Sequence, residues 1–357
     1  MRDFYRNKRV FVTGHTGFKG CWLCTLLAMA GAEITGFALP PATTPNLWEL
    51  SGLENRMRSV YGDIRDFDAL YNTFKQSEPE VVIHLAAQPI VREGYRDPVG
   101  TYSTNVMGTV HILECIRQTE TVRSFLNVTT DKVYENRSWP WGYRETDVLN
   151  GFDPYANSKS CSELVTDSYQ RSFLSEHGVA VSTARAGNVI GGGDFSVDRI
   201  IPDCIRAVQA GTAIQIRNPF SVRPYQHVLE PLSAYLLIAQ RQYEDRSLSG
   251  SYNVGPDNYD CITTGRLAEL FCAEWGPSVR WEHVGQNGPH EDQILRLDCS
   301  KITSVLGWHP RWDVRRAVKA VVEWTKVWLA DNDAAGCMER QIQAFLQENR
   351  NYYETSY

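Results

Sequence analysis

Residues 10–20 read VFVTGHTGFKG, a run of β-favouring residues followed by Gly14, Gly17 and Gly20 in the spacing G-x-x-G-x-x-G. A strand-like run precedes the glycines, and an apolar helical run from about Gly17 to Ala30 follows them. Glycines let the backbone turn sharply and approach a pyrophosphate, while the helix N-terminus supplies amide donors and a positive dipole end. Alone the pattern is weak, because any tight turn can contain it. At the first strand–helix junction of a parallel sheet it predicts a dinucleotide site, with Gly14, Thr16, Gly17, Phe18 and Gly20 around the ligand. Lys19 stands where an apolar residue is expected, and is read as pointing to solvent.

Outward from this loop, apolar runs and helical runs alternate. EITGFAL follows the first helix, and after the Pro- and Thr-rich PPATTPN come RSVYGD and the helical DFDALYNTFKQ. EVVIHLAA leads to a long helix from Pro98 to about Gln118, VRSFLNVTT to a helix from about Pro154 to Leu174, and VAVSTARAGN closes the series. Strands alternating with helices mean a parallel sheet covered on both faces. The expected class is α/β, a Rossmann-type doubly wound parallel sheet spanning 1–186. From about Gly187 the elements shorten and Gly and Pro increase, as in GGGDF, RNPFSVRPYQ, GPDNYD and GQNGPH. Three helical stretches stand out there, Ile200–Ala210, Val228–Arg241 and Asp313–Ala330, and 187–357 reads as a smaller mixed α/β substrate-binding region.

Composition narrows the class. With 43% hydrophobic and 22% charged residues, the 357-residue chain has the balance of a globular protein with a substantial core. The net charge of −6 is dispersed and no Lys/Arg-rich block occurs, which argues against a nucleic-acid or anionic-membrane surface. MRDFYRNKRV lacks the apolar run of a signal peptide, and CWLCTLLAMAGA is too short to span a bilayer, so the expected location is cytoplasmic. Nine cysteines, scattered and odd in number, suit reduced thiols. Cys21 and Cys24 form a C-x-x-C inside an apolar helix, where two small buried hydrophobes explain them better than redox chemistry. No grouping has zinc-site spacing.

Ligands of parallel sheets bind at the carboxyl ends of the strands. Asp63 and Ile64 end the third strand, where a carboxylate can accept from an adenine amino group; Asp66 reads equally well as a helix N-cap. Ala86 and Ala87 end the fourth, where small side chains let a cofactor lie against the backbone. The second strand ends GFALPP, without an acid for the ribose 2′-hydroxyl of NAD and without an arginine for the phosphate of NADP, so the choice between the two stays open. Tyr155 and Lys159 make Y-x-x-x-K, one face of a helix, directly after the strand that ends at Thr130. A phenol titrates near pKa ~10, so it needs a nearby cation to act as a base, and Lys159 is placed to supply one and to bond the nicotinamide ribose. The Thr130 hydroxyl can bond a substrate oxygen that Tyr155 deprotonates. The second match, Tyr71 and Lys75, lies on a helix with no hydroxyl-bearing strand end and reads as surface.

Together G-x-x-G-x-x-G, HLAAQ, Thr130 and Y-x-x-x-K resemble the extended short-chain dehydrogenase/reductase family over nearly the whole chain. Thr-Asp-acid at this strand end is the mark of its nucleotide-sugar 4,6-dehydratases; the Lys found here in TTDKVYEN, with RAGNVIGGGDF and RPYQHVLEPL, resembles their CDP-glucose branch. The resemblance implies bound, recycled NAD, a nucleotide-sugar substrate and a homodimer or homotetramer paired through the long helices. It casts Asp131 as the acid that protonates a departing C6 hydroxyl, and puts Lys132 where the C5 base usually stands. A lysine with reference pKa ~10.4 must be neutral to serve as that base, which a protonated Asp131 would permit. The alternative is a cationic Lys132 that steadies the enolate. Asn188, Arg199 and Arg223 are the candidates for the substrate diphosphate, Arg223 by bidentate contact. Two other readings remain in view: a 4-epimerase or reductase of the same fold, which needs no Asp131, and a cofactor-sensing binding protein, against which Thr130, Tyr155 and Lys159 argue.

Overall fold

The computed structural model describes residues 2–285, 294–331 and 333–348; most of GQNGPH lies outside them. Strands β1 (Arg9–Thr13), β2 (Glu33–Ala38), β3 (Arg58–Tyr61), β4 (Val81–His84), β5 (Ser124–Val128), β6 (Ala180–Ala186) and β7 (Ser251–Val254) form one sheet in the order β7-β6-β5-β4-β1-β2-β3. Every pairing in it is parallel. β4 and β5 are buried at every position, as a sheet covered on both faces requires. The strand order reverses between β1 and β4, and the crevice beyond their carboxyl ends is where such sheets bind ligands.

Side-chain caps start the helices that matter. Asp66 accepts from Ala69 N to begin α1 (Phe67–Ser77), which settles it as a cap. Asp97 precedes Pro98 and accepts from Gly100 N. The run it starts carries a π-turn at Ser103–Met107 before α2 (Gly108–Arg117). Asp153 accepts from Ala156 N, and Pro154 occupies the first turn of α3 (Pro154–Tyr169). The glycine loop leads into the helix Phe18–Met29, where Cys21 and Cys24 are both fully buried and burial pushes both thiols up.

One face of the sheet is packed by Trp22, Leu23 and Leu27 with Leu232 and Tyr235 of the helix Leu229–Glu244 and with Met338 and Ile342 of Ala334–Gln347. The other is packed by Leu70, Phe74, Ile112, Leu113 and Ile116. A further core joins Ile201, Ile205, Leu267, Phe271, Val318 and Val321 under the second half. The three helices expected there form as Ile200–Gln209, Leu229–Glu244 and Val314–Asp331, joined by Thr264–Trp275 and Ala334–Gln347. β7 comes from beyond the boundary drawn at 186/187, so the second half supplies a strand to the sheet of the first. Among the described residues no helix is long and apolar enough to cross a membrane.

Candidate active site

A cavity of about 660 Å³ opens at the carboxyl ends of the sheet strands and is closed over by the second half of the chain. Gly14, Thr16, Gly17, Phe18, Gly20, Asp63, Ile64, Ala86 and Ala87 line it, as do Thr130, Asp131, Lys132, Tyr155 and Lys159. Asn188, Arg199 and Arg223 line it as well.

The loop end fits a dinucleotide. Gly14 has φ +77, and a Cβ there would lie 2.8 Å from Ala86 N. A Cβ on Gly20 would lie 2.2 Å from Gly14 O, so the helix starts hard against the turn only because position 20 has no side chain. Ala86 and Ala87 keep the facing wall flat, and the Thr16 hydroxyl ties the loop to β2 through Leu39 O at 2.8 Å. Asp63 is clamped by Arg65, whose guanidinium approaches to 2.6 Å and holds the carboxyl below its usual range. Lys19 corrects the expectation of a solvent-facing side chain. It is half-buried in the cavity wall, and burial, with Arg199 and Lys159 nearby, pushes its amine down to about 8. The first turn of a helix aims side chains back over the loop, which draws Lys19 inward.

Thr130 caps a short 3₁₀ turn, Asp131–Val133, that turns the chain into the cavity. Its Oγ1 donates to Asp131 Oδ1 at 3.0 Å and accepts from Lys132 N at 3.4 Å. It also lies close enough to the phenol of Tyr155 to favour the phenolate. Asp131 is 2% exposed, and its Oδ2 has no hydrogen-bond partner among the described residues. Burial pushes this carboxyl up, against Lys132, Thr130, Arg223 and Lys19, which all favour the anion. Lys132 is half-buried beside it. Burial pushes the Tyr155 phenol up to about 12, countered by Thr130 and by the guanidinium of Arg199. Lys159 Nζ donates to Val128 O at 3.1 Å, and burial brings its amine down to about 8. The cation that favours the phenolate here is therefore Arg199, while Lys159 is held back against the strand.

At the substrate end, Arg223 is buried, its guanidinium donating to Val222 O at 2.9 Å, and Asn188 is half-buried. Arg199 pairs with the buried Asp194 at 3.6 Å while still lining the cavity. Sequence reasoning missed three more charged groups in this wall. Asp198 stands at φ +59 between Arg92 at 3.3 Å and Arg217 at 3.5 Å, joining the segment after β4 to the second half. No spacing rule links positions so far apart.

The family model described as GDP-mannose 4,6 dehydratase matches residues 11–321. The CDP-glucose 4,6-dehydratase of Salmonella typhimurium is 47% identical over 351 residues, 97% of this chain and 98% of that protein. Among solved structures, UDP-glucose 4-epimerase of Thermotoga maritima with UDP-glucose superimposes with a TM-score of 0.78 at 22% identity, covering 90% of this chain and 99% of its own. A dTDP-glucose 4,6-dehydratase of Streptomyces venezuelae solved with NAD has a TM-score of 0.75 at 25% identity, covering 89% and 96%.

Proposed function

This chain belongs to the GDP-mannose 4,6-dehydratase family of extended short-chain dehydrogenases/reductases, and from that premise we propose that it converts CDP-glucose to CDP-4-keto-6-deoxyglucose with loss of water. A bound NAD would supply the acceptor for the C4 hydride and the donor of hydride to C6, so no net oxidation occurs. Gly14, Thr16, Gly17, Phe18 and Gly20 would hold its pyrophosphate, with Asp63, Ile64, Ala86 and Ala87 along its length. The relative solved with NAD supports NAD over NADP.

Tyr155 takes the proton of the C4 hydroxyl, which Thr130 aligns. The C5–H becomes acidic only once C4 is a ketone. Asp131 then gives its proton to the leaving C6 hydroxyl, which departs as water. Lys132, next to it, is in place to accept the C5 proton; as an ammonium it would instead steady the enolate. Lys159 fixes the ribose side of the cofactor, and Asn188, Arg199 and Arg223 hold the diphosphate. One observation carries dehydration over epimerisation: a buried carboxyl, raised by its surroundings and with one free oxygen, beside the hydroxyl pair of Thr130 and Tyr155. The choice of CDP rests on the 47%-identical relative, since no residue here selects cytosine.

Purified protein with NAD and, in parallel, CDP-, UDP- and dTDP-glucose tests the proposal. CDP-glucose should yield a product lighter by one water that absorbs in alkali; a product of unchanged mass would make the enzyme an epimerase. A homodimer or homotetramer is also proposed, because Val99, Met107, Leu164 and Phe173 are exposed along the two long helical runs. Leu164→Glu should then halve the mass seen by light scattering. The location proposed is the cytoplasm.

A further inference from the structure

Beneath the cavity, one imidazole links three elements. His84, the last residue of β4, is 1% exposed. Its Nδ1 lies 2.7 Å from Thr13 Oγ1, at the level end of β1, and its Nε2 lies 3.3 Å from Thr109 Oγ1 on α2. The protons in this chain can be assigned by counting. Thr13 Oγ1 accepts from Ala86 N and from Leu85 N, each at 3.1 Å, the Leu85 amide being shared with Thr13 O at 3.2 Å. A hydroxyl oxygen has two lone pairs and one proton, so with both lone pairs engaged its proton goes to His84 Nδ1. The neutral imidazole then carries its hydrogen on Nε2 and donates it to Thr109 Oγ1. Thr109 passes its own proton to Asn105 O at 2.7 Å and accepts from Ser162 Oγ at 2.9 Å. Ser162 lies on α3, three residues beyond Lys159, and accepts in turn from Asn127 Nδ2 at 2.9 Å. Burial, with Lys159 nearby, holds the imidazole down to about 3, so at neutral pH it is uncharged.

We propose that His84 is a positioning residue: as the Nε2–H tautomer it ties the cofactor-facing segment Leu85–Ala87 to the helix that carries Tyr155 and Lys159. On one side it orients the Thr13 hydroxyl that holds the Leu85 and Ala86 amides, the backbone against which the Gly14 turn is set. On the other it reaches α3 through Thr109 and Ser162. Losing either link lets the cofactor wall and the catalytic helix shift independently, and reaction rates are sensitive to displacements of about 1 Å. The inference rests on the proposed function only in taking a dinucleotide as the ligand of that wall.

Two isosteres separate positioning from core filling. His84→Asn places a carbonyl oxygen where Nδ1 accepts; His84→Gln places an amide N–H where Nε2 donates and leaves Thr13 without its acceptor. Calorimetric titration with NAD alone should give a Kd within about threefold of wild type for the Asn variant, and roughly tenfold weaker for the Gln variant and for Thr13→Val. Both His84 variants should lose similar melting temperature, so equal NAD affinity in the two would overturn the proposal. Nitrogen-15 NMR of histidine-labelled wild-type protein, assigned by the signal missing in His84→Gln, supplies a readout independent of any ligand. It should show Nδ1 bare and Nε2 protonated, and the opposite tautomer overturns the inference. Failure to dehydrate CDP-glucose would sink the proposed function alone and leave both of these readouts in force.

Discussion

Asp131 and Lys132 are adjacent in sequence, yet their environments differ enough to give them different work. Asp131 is enclosed, and burial raises its carboxyl in the direction that the proposed acid role requires. Asp131→Asn preserves the shape without the acid. It should cut dehydration by about 10²–10⁴-fold while leaving C4 oxidation able to proceed, so reduced cofactor should accumulate at substrate addition; undiminished product formation would remove Asp131 from the mechanism. Lys132→Met should abolish solvent-deuterium exchange at C5 if the amine is the base, and exchange at the wild-type rate would leave it only as a cation. Burial brings the Lys159 amine down to about 8, and the bond proposed for it to the cofactor ribose is one its ammonium makes. Activity should therefore fall as pH rises through about 8, as a limb in kcat/KM, which reports the free enzyme. A limb near the ordinary lysine value of ~10.4 would place the amine in solvent instead. Y-x-x-x-K made the shared face of Tyr155 and Lys159 legible in the sequence. That Lys159 bonds Val128 O, and that Lys19 turns inward, depended on strands and helices meeting in space.

Local chemistry made most elements readable. β1 to β6 are short and punctuated by turn residues, and Asp66 and the pair Asp153–Pro154 announce helix starts. β7 was missed because SYNV pairs with β6 across a long stretch of intervening chain, a contact no local pattern encodes. The Gly-rich loop shows how one motif holds unequal members. Gly17 has φ −78, and a Cβ there meets only Gly14 O at 3.4 Å. Gly14 and Gly20, by contrast, have backbone in the way at 2.8 Å and 2.2 Å. Gly17→Ala should thus change stability by no more than about 0.5 kcal/mol, and any loss it causes should appear in NAD affinity. Gly20→Ala should cost about 3 kcal/mol or more. Thermal melts and NAD titration of the two variants check this, and equal melting temperatures would mean the loop has slack that its contacts do not show.

At the scale of the whole molecule, the cavity exists because two sequence regions close on each other: residues 14–20, 130–132 and 155–159 come from one, and 188, 199 and 223 from the other. The parallel-sheet rule located the first set at the strand ends; the second set was readable only as residue types in loops. The folded chain also buries histidines, His84 of HLAAQ among them. His15, His84 and His227 are at most 1% exposed, and burial lowers them to about 4, 3 and 3. Each has a folded pKa below its unfolded value near ~6.5, so the unfolded chain binds the proton first. Their contribution is fully present above that value and is lost as pH falls toward the folded pKa. The slope grows from half to nearly all of ~1.4 kcal/mol per group and pH unit as pH falls below ~6.5, so the three together remove about 5 kcal/mol between pH ~6.5 and ~5. That is comparable to the ~5–15 kcal/mol stability of a typical domain. The melting temperature should accordingly drop steeply over this interval, well before most carboxylates titrate, and His227→Phe should flatten part of the slope. A melting temperature constant down to pH ~5 would mean that all three imidazoles reach water in the folded protein.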